Sequence, residues 1–269
     1  MTRNHNSDQD CVIEAGWALV ERNGKQVLEK DVSIVIRDSE IVDIRPGKVQ
    51  GWQARVDASG CLVLPGFISG HTHTCISSPA RGLIESGRFM DRPCAMVENF
   101  SDEELDALTA YNMAEIVKSG CTTFVEMSGS VRYAKSFVRV ARAWGVRAYV
   151  SVIVPNSDRL MKIWYRTDDR VLLDSVPETL RDIEEALQFG LEINQSDDDL
   201  VRAQMAIHAA DTHTPETLAA VKAAAAKLGN GVHIHLAQRI REVEACERMW
   251  GMRPVAWLES LGFFDQQVI

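Results

Sequence analysis

Cys61-Leu62-Val63-Leu64-Pro65-Gly66-Phe67-Ile68-Ser69-Gly70-His71-Thr72-His73 decides how the rest of the chain reads. Residues 61–68 form an apolar run of strand length, and two histidines spaced i, i+2 follow it. Further along, β-branched apolar runs recur at about residues 121–127, 147–154, 202–208 and 231–237, separated by long helical stretches. Several of these helices mark their own ends. Ser101 with Glu104 forms a capping box for a helix to Ser119, with Gly120 in the place of a C′ glycine, and a second helix over about 131–144 stops at Gly145. Thr214-Pro215 opens an alanine-rich helix that runs to Leu228 before Gly229. Strand and helix in this alternation predict repeated βα units on a parallel sheet.

Spacing sets the expected extent. Strand centres near 65, 124, 150, 205 and 234 give about 42 residues per unit, so eight units begun near residue 61 need roughly 340 residues. The 269 residues hold about five and a half units, and Gln266 to Ile269 read as the opening of a sixth strand, so a truncated or fragmentary chain is expected. Ahead of this part, Val12-Ile13, Trp17 to Glu21, Val32 to Ile36 and Glu40 to Ile44, punctuated by Asn23-Gly24 and Pro46-Gly47, read as a small antiparallel sheet. The expected fold class is α/β: an incomplete (β/α)8 barrel of the TIM type over 61–269, preceded by a small β-sandwich portion over 1–60.

Composition narrows the partners. With 29 Lys+Arg against 38 Asp+Glu the net charge is −9, which repels phosphate backbones and predicts neither a nucleic-acid partner nor an anionic membrane surface. There is no apolar run of about 18 residues and Met1 to Asp10 is polar, so neither a membrane span nor a signal peptide is expected. Cys11, Cys61, Cys75, Cys94, Cys121 and Cys246 are scattered without a Cys-x-x-Cys pair and read as reduced thiols of a cytoplasmic protein, most of them buried as small hydrophobes. A small-molecule partner is expected, and a homo-oligomeric full-length form stays open.

Two His-x-His pairs carry the chemistry: His71-Thr72-His73 and His233-Ile234-His235. Side chains alternate along a strand, so the imidazoles of a pair share a face and can converge on one ion. Neutral imidazole suits zinc or iron. His71 and His73 stand at the carboxyl end of the first barrel strand, where barrel active sites are built, and read as metal ligands. His208 or His213 taken singly reads as a hydrogen-bonded core residue. The loop from Thr74 to Phe100, with Arg81, Arg88, Arg92 and Phe89-Met90, is long enough to cover a barrel mouth; Arg81 is the candidate to meet an anionic or carbonyl group of a substrate.

Val63 to Ile68 followed by His71-Thr72-His73, Gly120 to Met127 (GCTTFVEM) and His233 to Gln238 (HIHLAQ) together resemble the amidohydrolase superfamily, in its branch of cytosine deaminases, S-adenosylhomocysteine deaminases and triazine hydrolases. The resemblance runs from about residue 12 to the last residue. It implies that His71, His73 and His235 are metal ligands, that His208 orients a substrate, and that a histidine after strand six and an aspartate after strand eight, positions absent from this sequence, complete the site. With those positions absent and strand edges unpaired, this chain alone is expected to show weak or no catalysis. The implied reaction is metal-dependent hydrolysis of a C–N or related bond of a small nitrogen heterocycle, an aminohydrolase-like activity. In it a divalent ion, zinc or alternatively iron, lowers the pKa of a bound water. No lysine occurs between Val201 and Thr212, where binuclear members carry a carboxylated one, so a single ion is expected.

One position departs from the family. The resemblance implies an acid, usually a glutamate, three residues after the strand-five ligand, where this chain has Gln238, and an amide cannot exchange a proton at neutral pH. Glu126, Glu85 and Glu242 are the candidate replacements. The alternative is a non-catalytic or catalytically altered barrel relative that keeps the scaffold for binding, and a plain α/β protein whose histidines merely pack is the third reading.

Overall fold

A computed structural model describes residues 10–52, 54–76, 97–196 and 198–264. The chain forms two compact units, Met1–Gly66 and Phe67–Ile269.

In the first unit β1 (Cys11–Arg22) and β2 (Lys25–Arg37) make an antiparallel hairpin whose last pair is Arg22 with Lys25. The two-residue turn is Asn23-Gly24, both at positive φ (54° and 77°), the backbone that a tight hairpin requires and that Asn-Gly tolerates. β3 (Glu40–Pro46) pairs antiparallel with β2, and β4 (Arg55–Val63) pairs with β1, giving the order β3-β2-β1-β4. The expected all-antiparallel sheet is corrected here, because β4 runs parallel to β1 on the edge that the hairpin leaves open. Ala15, Ala18, Val20, Val32 and Ile34 form the apolar cluster of the unit.

The expected single strand over 61–68 is also two strands. β4 ends at Val63 and β5 starts at Phe67, on either side of Leu64-Pro65-Gly66, since proline has no N–H for a ladder. The division between units therefore falls after Gly66 rather than after residue 60.

The second unit is a parallel sheet with helices between its strands. β5 (Phe67–Thr72), β6 (Cys121–Ser128) and β7 (Arg147–Val154) are continuous. The fourth strand is interrupted at Gln204 into β8 (Val201–Ala203) and β9 (Met205–Ile207), and β10 (Val232–Ile234) follows. Their order is β10-β9-β7-β6-β5, with β8 on β7, all parallel. This matches the α/β expectation of an incomplete barrel sheet.

The helices are α1 (Asp102–Lys118), α2 (Val131–Trp144), α3 (Ser157–Trp164), α4 (Arg170–Asp174), α5 (Val176–Asn194), α6 (Pro215–Leu228), α7 (Ile240–Trp250) and α8 (Pro254–Ser260) among the described residues. The caps anticipated at Ser101/Glu104, Gly145, Thr214-Pro215 and Gly229 are formed. Their apolar faces meet the sheet in one core that includes Phe124, Phe137, Val150, Leu187, Ile207 and Val221. Burying each such large side chain contributes about 1.5–3 kcal/mol. Among the described residues no helix is long and apolar enough to cross a membrane.

Cysteine burial departs from expectation. Of the described thiols only Cys75 and Cys246 are buried, while Cys61 is exposed and Cys11 and Cys121 are intermediate; none is in a disulfide. Cys11 and Cys61 lie on β1 and β4 of the small first unit, whose strands keep part of their surface in water, and Cys121 opens β6 of the second unit.

Where β1 meets β4, Gly16 sits at a register break between Ala15 and Trp17, and a Cβ built there would lie 2.0 Å from Ser59 O. Gly16→Ala is expected to cost about 1–3 kcal/mol or more, as overpacking against main chain does. A denaturant titration with an unchanged midpoint would contradict this close approach.

Candidate metal centre

His71 and His73 lie at the carboxyl end of β5, and His235 directly follows β10. Alternation along β5 sends both imidazoles to the face opposite Thr72, so they converge rather than diverge. His71 Nε2 stands 3.0 Å from His73 Nε2 and 3.2 Å from His235 Nε2.

The outer nitrogens settle the protons on two of these rings. His73 Nδ1–H donates to Met127 O at 2.6 Å and His235 Nδ1–H donates to His208 O at 2.9 Å. A carbonyl can only accept, so each ring presents an unprotonated Nε2 inward. His71 differs: its Nδ1 faces His233 Nε2 at 3.1 Å, a side chain instead of a carbonyl. Burial, reinforced by the neighbouring imidazoles, pushes His73 down to about 3 and His235 to about 4, and burial lowers His71. The three rings are therefore neutral at pH 7, the state in which imidazole binds metal.

The donor set fits a divalent ion. Nitrogens at about 2.0–2.1 Å from a shared tetrahedral centre stand about 3.3–3.4 Å apart, near the separations of 3.0 and 3.2 Å. Lone pairs crowded at that distance repel unless a cation lies between them.

Around the three rings is a cavity of about 410 Å³, lined by Ile153, Leu160, Met161 and Trp164 as well as His208, Gln238 and Arg239. His208 is 5% exposed, packs edge-on to Trp164 with ring centroids 4.5 Å apart, and its Nδ1 has no hydrogen-bond partner. The Arg239 guanidinium sits 4.5 Å from the Trp164 ring centroid. A separate cavity of about 440 Å³, with Arg166, Asp211, Arg241 and Arg248 in its walls, shares Trp164 but holds none of the histidines.

The structure thus brings His71, His73, His235, His208 and Gln238 to one cavity. Glu126 is elsewhere. It pairs in register with Thr72, on the face of β6 that carries Phe124 into the helix layer, and does not line the cavity. Its carboxyl accepts from Thr72 Oγ1 (2.7 Å), Thr74 N (3.1 Å) and Ser128 Oγ (3.0 Å), tying down the segment that bears His71 and His73. Glu242 is also committed: its two oxygens accept from Ala237 N (3.1 Å) and Gln238 N (2.8 Å), holding Ala237 at φ 53°. His213 is the hydrogen-bonded core residue expected, with Nε2–H donating to Val154 O at 2.9 Å and Nδ1 accepting from Thr217 Oγ1 at 3.1 Å. Arg81, Glu85, Arg88 and Arg92 lie outside the described residues. The sequence reading let both imidazoles of His233-Ile234-His235 converge on one ion; of the two, only His235 joins His71 and His73, while His233, on the same face, meets the outer nitrogen of His71, and Gln204 was left without a role.

The amidohydrolase family profile matches residues 62–269. The chain belongs to the amidohydrolase family. It is 27% identical over 265 residues to a 5-methylthioadenosine/S-adenosylhomocysteine deaminase of Pelotomaculum thermopropionicum, covering 96% of this chain and 56% of that protein. Among solved structures, an atrazine chlorohydrolase from Arthrobacter aurescens complexed with zinc superposes with a TM-score of 0.76 at 16% identity, over 96% of this chain and 59% of that one. An adenosine deaminase from Xanthomonas campestris with bound zinc gives 0.66 at 22% identity, over 97% and 56%. These two structures establish likeness of fold. This amidohydrolase chain spans little more than half the length of these relatives.

Glu126 supplies a pH test of the scaffold. Burial pushes its carboxyl up to about 7, against the hydrogen bonds that favour its ionised form. The folded value is raised, so its stabilising share is complete below the unfolded pKa of about 4.5 and declines as pH rises to about 7. Glu126→Gln should flatten that decline in the metal-free protein, measured as denaturation midpoints from pH 4.5 to 8; parallel curves for the two proteins would refute the burial argument.

Proposed function

We propose that His71, His73 and His235 hold one divalent ion, zinc or alternatively iron, in a hydrolase acting on a C–N bond of a small nitrogen heterocycle. The observation that carries this reading is the convergence of three Nε2 atoms, at 3.0 and 3.2 Å from His71 to the other two. A divalent ion held there lowers the pKa of a water molecule towards 7 and so supplies a nucleophile at neutral pH.

The protein groups divide the remaining work. Ile153, Leu160, Met161 and Trp164 offer apolar surface in a cavity of about 410 Å³, a volume that admits a small heterocycle. His208, whose ring lines the cavity, hydrogen-bonds a ring nitrogen or its exocyclic substituent and sets the ring's orientation. Gln238 reaches the same cavity and can orient a ring nitrogen by hydrogen bonding, but its amide carries no titratable proton. The relatives' names point to adenosine derivatives substituted at the 5′ position as the substrate class, with deamination as the reaction.

Elemental analysis of the protein should find about one zinc or iron per chain, with His73→Ala and His235→Ala each losing it. A folded, metal-free wild type would overturn the proposed centre.

Gln238 favours a second reading, a barrel relative altered in or deprived of catalysis. Deaminase assays on methylthioadenosine and S-adenosylhomocysteine separate the two. If the centre is hydrolytic and short of a proton donor, Gln238→Glu raises turnover by about 10²–10⁴-fold, the usual worth of a general acid. Metal-loaded protein inactive in both forms supports the binding reading.

A further inference from the structure

The three imidazoles of the centre are not oriented in the same way. His73 and His235 give their Nδ1 protons to main-chain carbonyls, Met127 O and His208 O, which any sequence would supply at those positions. His71 has a side chain in that role: its Nδ1 lies 3.1 Å from His233 Nε2, the rings meeting nearly edge-on with centroids 4.9 Å apart. His233 is 5% exposed and sits in β10 in register with Ala206, an inward-facing residue of β9, so it lies one step below His235 on the same face. Its other nitrogen, Nδ1, lies 3.5 Å from the Gln204 amide, whose Nε2 is the atom placed towards the ring, at the interruption between β8 and β9.

We propose that His233 is a positioning residue for the metal centre: it accepts the Nδ1 proton of His71 and thereby aims the bare Nε2 of His71 at the cation. This rests on the metal-centre reading above. Once Nε2 of His71 is given to a cation, the ring's only proton is on Nδ1 and needs an acceptor. His233 Nε2 is the acceptor in place, which leaves the His233 proton on Nδ1. That proton then points to Gln204, so in the metal-loaded centre the amide is turned over from the placed orientation, with Oε1 instead of Nε2 towards the ring, an exchange that the like shapes of the two atoms allow. The run Gln204, His233, His71 thus continues the centre inward through the barrel interior. Outer partners of metal-bound histidines typically change metal affinity 10–100-fold when removed.

The test compares two substitutions of similar size in the protein. His233→Gln keeps an acceptor for His71, whereas His233→Leu does not. Zn(II) affinity is measured by competition with a chromophoric chelator, and the His71 Nδ1–H resonance is followed by 15N-edited NMR of the zinc-loaded protein, with circular dichroism as the control for folding. We expect His233→Leu to bind Zn(II) about 10–100-fold more weakly and to lose the protected Nδ1–H signal, and His233→Gln to stay within a few fold of wild type and keep it. Wild-type affinity in a folded His233→Leu protein overturns the proposal, as does an equal loss in both folded variants. A wild-type protein that takes up no Zn(II) overturns instead the centre on which the proposal rests.

Discussion

Two main-chain carbonyls, Met127 O and His208 O, are the constraint on which the candidate centre depends. Each lies at or just beyond the carboxyl end of a parallel strand and takes the outer proton of a histidine from a neighbouring strand. Parallel strands in register bring such ends together, so a carbonyl from one strand is within reach of a side chain on the next. Rings oriented by backbone need no further side chain to choose their tautomer, and their inner nitrogens remain bare. Neutrality follows from burial, which holds His73 and His235 far below the ordinary imidazole range. The result is a set of lone pairs organised before any cation arrives.

Two buried carboxylates stabilise the loops around this centre. Glu126 collects the Thr72 hydroxyl and the Thr74 amide, and Glu242 collects the amides of Ala237 and Gln238. Both are 2% exposed or less. A carboxylate that accepts several protein hydrogen bonds has few lone pairs left for a substrate. Their roles are to hold the segment carrying His71 and His73 on one side and the turn carrying Gln238 on the other. The polar character of the cavity then comes from His208, Gln238 and Arg239 set against an apolar wall.

Much of the second unit was legible in the residues. Helix ends at Ser101, Gly145, Thr214 and Gly229 are local signals, because a cap needs only a side-chain oxygen or a left-handed glycine within one turn. The βα alternation and the i, i+2 histidines are equally local. Three helices between Ser157 and Asn194 escaped individual placement, since they follow one another with no strand between them to mark their limits. The split of 61–68 into two strands in two units was visible in Pro65-Gly66 but was overridden by the apolar run around it. Glu126 shows the same lesson in the site: period-two alternation from Phe124 places it on the helix side of the sheet, yet only its pairing with Thr72 makes that face plain.

What the sequence by itself determined is the repertoire: imidazole donors at strand ends, a parallel α/β scaffold, and an amide, Gln238, where the resemblance implies a glutamate. What only the tertiary structure decided is which donors meet. His71 and His235 are 164 residues apart, and nothing local in either segment sets the distance between their nitrogens. That distance is fixed by the order and register of β5, β6, β7, β9 and β10, whose hydrogen-bond ladders are cooperative over the whole sheet. The division of labour within His233-Ile234-His235 has the same origin. Two side chains on one face differ by about 6–7 Å in height along a strand, so the upper joins the centre and the lower meets His71 from beneath.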